Sequence, residues 1–169
     1  MIIKSENIDS ALYSVVRDSQ YFCPVFYPFF SVMYSTGVRA VEVANLERWE
    51  ILTDDYVKLV TAKKNEDRLF EVKNIEPLFI KLVASQNSSI MSPSYTQLSY
   101  TFKKLFIYNE VYVGSKRSGL HLFRHNYAKQ LVNKGYSTKE IQRKLGERKE
   151  SSALSYISSV YSLAPYTLK

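Results

Sequence analysis

Apolar and polar residues follow one another along this chain with two different periods, and the change of period marks its elements. Val25 to Ser35 is almost wholly apolar and aromatic and is followed by Gly37, the pattern of a buried helix closed by a left-handed cap, with Pro28 in its first turn. Arg39 to Leu46 reads as a second short helix, with Val41, Ala44 and Leu46 available for burial and Glu42 and Asn45 for solvent, and Thr36-Gly37 as the bend between the two helices. From Trp49 to Val72 the period shortens. WEIL, the turn Thr53-Asp54-Asp55, YVKLV, the polar stretch Lys63 to Asp67 and RLFEV predict a three-stranded antiparallel meander. Ile75 to Ser85 and Tyr95 to Tyr108 return to helical spacing across the uncharged loop Gln86 to Ser94, which is expected to be the most mobile internal segment. A turn at Gly114 to Gly119 precedes a helix from His121 to Lys134, stopped by Gly135. The capping-box pattern Ser137-Thr138-Lys139-Glu140 opens the next helix, and the last runs from Ser151 to Tyr161. No element is assigned before Val25. The fold class is therefore α+β, mostly α-helical with one small three-stranded antiparallel sheet, and without repeats or a Gly/Ser linker the 169 residues read as a single domain.

Composition narrows the context. A chain of 169 residues buries a substantial core without disulfides or metals, and its one cysteine, Cys23, excludes a disulfide framework and is read as a small buried apolar residue in a reducing compartment. No stretch approaches the ~18 apolar residues of a membrane span, and the N-terminus MIIKSENIDS lacks the order of a signal peptide, so a soluble cytoplasmic protein is expected. The net charge of +7 is concentrated: residues 103 to 149 hold twelve Lys/Arg against three acids, and the rest of the chain sums to −2. Such a basic face steers a protein toward a polyanion, most commonly nucleic acid. With two histidines, one cysteine and scattered acids, whose one adjacent pair Asp54-Asp55 lies in a turn, neither a metal centre nor a metal-dependent nuclease is expected.

Four short motifs carry the candidate chemistry. His121 and Arg124 stand three residues apart, which on a helix brings both toward one face. Arg124 offers a planar fork for two phosphate oxygens, and His121 exchanges a proton near neutral pH. Thr36-Gly37-Val38-Arg39 sets an arginine after a glycine bend, where it can enter a cleft or simply pair with Glu42. Lys63 sits in the hairpin between two predicted strands, with Lys64 beside it. Leu145-Gly146-Glu147 is followed nine residues beyond Glu147 by Tyr156, one of fourteen tyrosines, on a helix whose Ala153, Ile157 and Val160 also fit a buried stripe.

In order and spacing these motifs resemble the catalytic domain of the tyrosine recombinase (phage integrase) family: TGxR, a hairpin lysine 24 residues on, HxxRH, then LG with a tyrosine following. The resemblance covers Val25 to Tyr161 and implies the family's helical DNA breaking-rejoining fold around a three-stranded sheet. It implies that Arg39 and Arg124 clamp a scissile phosphate, that Tyr156 is the nucleophile, that His121 accepts its proton, and that Lys63 protonates the departing 5′ oxygen without metal, ATP or other cofactor. Glu147 stands where most members carry His or Trp, and a carboxylate there repels phosphate unless protonated or turned away, toward Arg143, Arg148, Lys149 or Lys63. His125 is expected to pack or hydrogen-bond beside the arginine and, with Lys64, Lys116, Arg117, Arg143, Lys144 and Arg148, to belong to the DNA-binding set. The implied partners are double-stranded DNA and further copies of the chain, from dimer to synaptic tetramer, with a monomer when free. Residues 157–169 form a tail expected to dock on a neighbouring protomer or to fold back. Thirty-eight residues precede Arg39, too few for the family's separate N-terminal clamp domain, so residues 1–169 are read as the catalytic domain alone, either an excised fragment or a short protein. A type IB topoisomerase, with a similar residue set, and a DNA-binding relic that no longer cleaves are the alternatives.

Overall fold

The computed structural model describes residues 8–61, 67–85, 92–108 and 119–155. The chain opens with helix α1, Ile8–Phe22, which the sequence reading leaves unassigned. Its buried positions are Ile8, Ala11, Leu12, Val15, Val16, Asp18 and Ser19, and Ile8, Leu12, Val15, Val16 and Ser19 among them form the i, i+4, i+7, i+8, i+11 stripe that an amphipathic helix needs. Helix α2, Tyr27–Thr36, carries Pro28 in its first turn and ends at Gly37, whose φ of 65° lets its N–H return to the Met33 carbonyl at 3.0 Å. Helix α3, Ala40–Ala44, is followed by a 3₁₀ turn at Leu46–Arg48.

Helix α3 departs from the expectation at Val41 and Glu42, which exchange places, while Ala44 and Leu46 pack against the core and Asn45 is exposed as expected. Glu42 is fully buried and Val41 is 46% exposed. The Glu42 carboxylate accepts the Arg39 backbone N–H (2.7 Å) and Nη1 (3.2 Å), while its carbonyl accepts the Trp49 indole N–H (2.8 Å). These bonds replace the water that the carboxylate loses, and roll the helix so that Glu42 and Val43 point inward.

Strands β1 (Trp49–Ile51), β2 (Tyr56–Leu59) and β3 (Arg68–Glu71) form the expected meander in the order β1-β2-β3, antiparallel throughout. The register pairs Trp49 with Leu59, Val57 with Phe70 and Leu59 with Arg68. The inner face is therefore Trp49, Val57, Leu59, Arg68 and Phe70, while the Lys58–Glu50 ion pair at 3.0 Å lies on the other face.

Helices α4 (Pro77–Ala84), α5 (Tyr95–Tyr108), α6 (Leu122–Asn133) and α7 (Thr138–Leu145) complete the labelled elements, and residues 150–155 are helical again. Helix α2 lies at the centre, packed on α1, α3, α4 and α6. Its Phe30 stacks on Phe123 of α6 at 6.2 Å and meets Phe102 of α5 at 6.3 Å, while Phe29 meets Phe79 of α4 edge-on at 5.8 Å. Asp9 ties α1 to this core by accepting from Tyr34 (2.9 Å), Asn126 (2.9 Å) and Gln130 (2.6 Å) through one carboxylate oxygen. The loop expected at Gln86 to Ser94 and the turn at Gly114 to Gly119 fall mostly outside the described residues.

Candidate functional site

The site grows from the bend after α2. At Gly37 a side chain meets two obstacles: the backbone is left-handed, and an added Cβ lies 2.4 Å from Cδ1 of Tyr127. Two buried arginines hold the neighbouring carbonyls. Arg68 donates from Nη2 to Thr36 O at 2.6 Å, and Arg124 donates from Nη1 to Gly37 O at 2.7 Å. This grip on consecutive carbonyls fixes the direction in which Arg39 leaves the bend.

Arg68 is missing from the sequence-derived site. It is 5% exposed and its guanidinium lies 4.6 Å from the centre of the Phe70 ring. Burial, and secondarily the charge of Arg124, push its pKa down to about 9. The signal was available: strand alternation puts Arg68 on the same face as Phe70, the face that must be covered.

Arg124 is 2% exposed, and desolvating its charge costs several kcal/mol unless every donor finds a strong partner. Its Nη2 donates to Leu145 O and to Glu147 Oε1, each at 2.7 Å. The same Glu147 oxygen accepts Nη2 of Arg39 at 2.5 Å, and the other terminal nitrogen of Arg39 reaches Glu42 at 3.2 Å. Glu147 thus joins the two arginines rather than pairing with Arg143, Arg148 or Lys149 as expected. The cause lies in the end of α7. Gly146 caps it in the left-handed conformation (φ 69°), the Glu147 N–H returns to Gln142 O at 3.0 Å, and the Gln142 amide donates to the carbonyls of Glu147 and Arg148. The chain therefore turns back over α6, and Glu147 is carried inward to 5% exposure.

His121 is the N-cap residue of α6 and makes no side-chain capping bond. Its ring lies against Gly119, where an added Cβ sits 2.8 Å from Cε1, and meets His125 edge-on at 5.8 Å. One edge stays exposed, yet burial of the rest lowers the imidazole pKa below its ordinary value and favours the neutral ring. Arg143, Lys144 and Arg148 are exposed, and the first two border an open cleft of about 690 Å³ with Arg68, Lys134 and Asp67. Tyr156, Lys63, Lys64, Lys116 and Arg117 lie outside the described residues, as does the tail 157–169. Tyr156 directly follows the helical residues 150–155, in which Ala153 is buried. Among the described residues no cluster of His, Cys, Asp or Glu is arranged to hold a metal ion, and no helix is long and apolar enough to cross a membrane.

Chemically, two guanidinium forks converge on the position of one oxygen, an arrangement suited to an oxyanion with further oxygens to share.

The phage integrase family matches the chain over residues 15–162. No curated protein sequence matches it significantly. Among solved structures, XerA recombinase superposes with a TM-score of 0.61 at 17% identity, covering 90% of this chain and 60% of that one. XerH site-specific recombinase bound to its difH substrate before cleavage gives 0.64 at 14% identity, covering 92% and 49%. A lambda integrase (75-356) dimer bound to a COC′ core site gives 0.62 at 13% identity, covering 92% and 58%. The chain thus spans about half to three-fifths of the length of these structures.

Proposed function

Because the chain belongs to the phage integrase family and shares the fold of tyrosine recombinase catalytic domains, we propose that it performs site-specific DNA recombination through a 3′-phosphotyrosyl intermediate on Tyr156. One observation carries the reading: Arg39 and Arg124, from motifs far apart in sequence, direct their terminal nitrogens at a single oxygen. That is the geometry needed to take the non-bridging oxygens of a scissile phosphate and to hold the charge that accumulates in its pentacoordinate transition state.

In this reading the Tyr156 oxygen attacks phosphorus, the P–O5′ bond breaks, and the phosphate becomes esterified to the tyrosine. The phenol proton passes to His121, whose lowered pKa keeps the ring neutral and ready to accept it near pH 7. Lys63 supplies the proton that the departing 5′ oxygen requires. A 5′-hydroxyl from the partner strand then reverses the sequence, so the ester bond energy is conserved and no ATP is consumed. His125 packs against the His121 ring and supports its orientation. Lys64, Lys116, Arg117, Arg143, Lys144 and Arg148 contact backbone phosphates, and the chain acts in pairs within a synaptic tetramer on duplex DNA while being monomeric when free. The DNA-bound XerH and lambda integrase structures support duplex DNA as the partner.

A second reading, a chain that binds DNA without cleaving it, is favoured by Glu147 standing between the two arginines. Trapping on nicked duplex DNA from the flanks of the gene separates the two. A covalent protein–DNA band that disappears in Tyr156→Phe is expected. Survival of the band in that variant removes Tyr156 as nucleophile, and no band on any flank substrate favours the non-cleaving reading.

A further inference from the structure

We propose that Glu147 is a built-in stand-in for the scissile phosphate: its carboxylate fills the anion seat between Arg39 and Arg124, so that DNA engages the pair only by displacing it. This rests on the reading of the two arginines as a phosphate clamp. A single carboxylate oxygen, Oε1, receives Nη2 of Arg39 and Nη2 of Arg124. Other bonds of the clamp go to groups that belong to the scaffold: Arg124 to the carbonyls of Gly37 and Leu145, and Arg39 to the buried Glu42. Glu147 alone among these partners extends from the segment after α7, beyond the Gly146 cap. A phosphodiester, with one negative charge shared by two non-bridging oxygens, offers the two arginines the same interaction that Glu147 supplies, and the two anions cannot hold one seat together because like charges at contact repel.

The carriage of Glu147 suits displacement. Its backbone is tied to α7 by the Gln142 side chain and by its own N–H, so the peptide is anchored while, among the described residues, the side chain is held by the two arginines. The next described residues, 148 and 149, form a bend, and the helical turn 150–155 leads to Tyr156. Seat occupancy and nucleophile delivery are therefore carried on one short segment.

A purely structural role and a competing role make opposite demands. If Glu147 only neutralises the buried Arg124 and the half-buried Arg39, removing its charge weakens the fold and the DNA complex together. If it competes with phosphate, removing its charge weakens the fold but strengthens anion binding. The test compares the whole chain with Glu147→Gln, which keeps shape and hydrogen-bonding capacity, and with Glu147→Asp, which keeps the charge but is one methylene short of bridging both arginines. Circular dichroism melts are taken against inorganic sulfate, and affinity for a duplex oligonucleotide is followed against salt. The Gln variant is expected to melt lower without sulfate, to gain a sulfate-dependent rise in melting temperature larger than that of the unsubstituted chain, and to bind duplex about tenfold tighter, with a salt slope steeper by roughly 0.9 for one added phosphate contact. Adding Arg39→Ala should erase the sulfate gain.

Equal or weaker responses to both sulfate and DNA in a folded Gln variant overturn the proposal. Should that variant fail to fold, the Asp variant decides: a sulfate response above that of the unsubstituted chain supports the stand-in, and an unchanged one overturns it. The covalent trap keeps the two readings distinguishable. Sulfate gain without a covalent adduct leaves the self-filled seat standing and sinks strand transfer, while an adduct without sulfate gain sinks the self-filled seat alone.

Discussion

His121 illustrates how one side chain's surroundings set its chemistry. Burial against Gly119 and His125 lowers its pKa, so the folded chain takes up a proton at this ring less readily than the unfolded chain does. A depressed folded pKa contributes stability that is complete above the unfolded imidazole value of about 6.5 and is lost as pH falls through the folded value. Urea denaturation at pH 7.5 and at pH 5 should accordingly show a larger loss of stability on acidification in the parent chain than in His121→Gln. Identical losses in both remove burial of this imidazole as a source of acid sensitivity. The adjacent arginines follow a different logic: Arg124 is held by carbonyls and a carboxylate, and no substitution by Lys reproduces its three directed bonds.

At the level of elements, the bend between α2 and α3 is the part on which the site depends most. Gly37 combines a positive φ with contact against Tyr127, and its carbonyl is one of the partners that hold Arg124. Gly37→Ala is expected to cost about 2–4 kcal/mol, the sum of left-handed strain and overpacking. Thermal denaturation reads this cost, and a loss below about 0.5 kcal/mol contradicts the account. The end of α7 repeats the device with Gly146, and there the cap directs Glu147 inward. Gly37 was identified from the sequence as a helix stop, whereas Gly146 was read only as part of the Leu145-Gly146-Glu147 motif. That they aim the two halves of one site at each other was not legible, because a cap specifies a local turn and says nothing of what stands across from it.

On the scale of the whole molecule, the charge excess between residues 103 and 149 divides into two populations. Arg124 is buried within the site, while Arg143, Lys144 and Arg148 remain exposed, the first two along the open cleft. Exposed cations act on DNA through counterion release, so affinity of the chain for duplex DNA should be weak and fall steeply with salt. Nitrocellulose binding between 50 and 200 mM salt is expected to lose at least about tenfold in affinity, and Arg143→Ala with Lys144→Ala to flatten the slope by roughly 0.9 for each lost phosphate contact. A slope unchanged by the double substitution removes this cleft from the DNA-binding face.

Local pattern determined a good deal of this protein. The helix stops at Gly37 and Gly135, the capping box at Ser137, the antiparallel meander and the order of Arg39, Lys63, His121, Arg124 and Tyr156 were all readable, since each rests on period, turn chemistry or spacing within a few residues. Helix α1 is carried by the stripe Ile8, Leu12, Val15 and Val16, a local signal of the same kind. Tertiary structure decided which charges are buried. Glu42 turns inward, Arg68 grips the Thr36 carbonyl, and Glu147 bridges Arg39 and Arg124, each against the ordinary preference of a charged residue for water. The reason is energetic: a buried charge is tolerated only when partners arrive to satisfy it, and although Arg39 meets Glu42 from three residues away, the partners of Arg68 and Glu147 come from distant segments brought together by the packing of α2, β3, α6 and the end of α7.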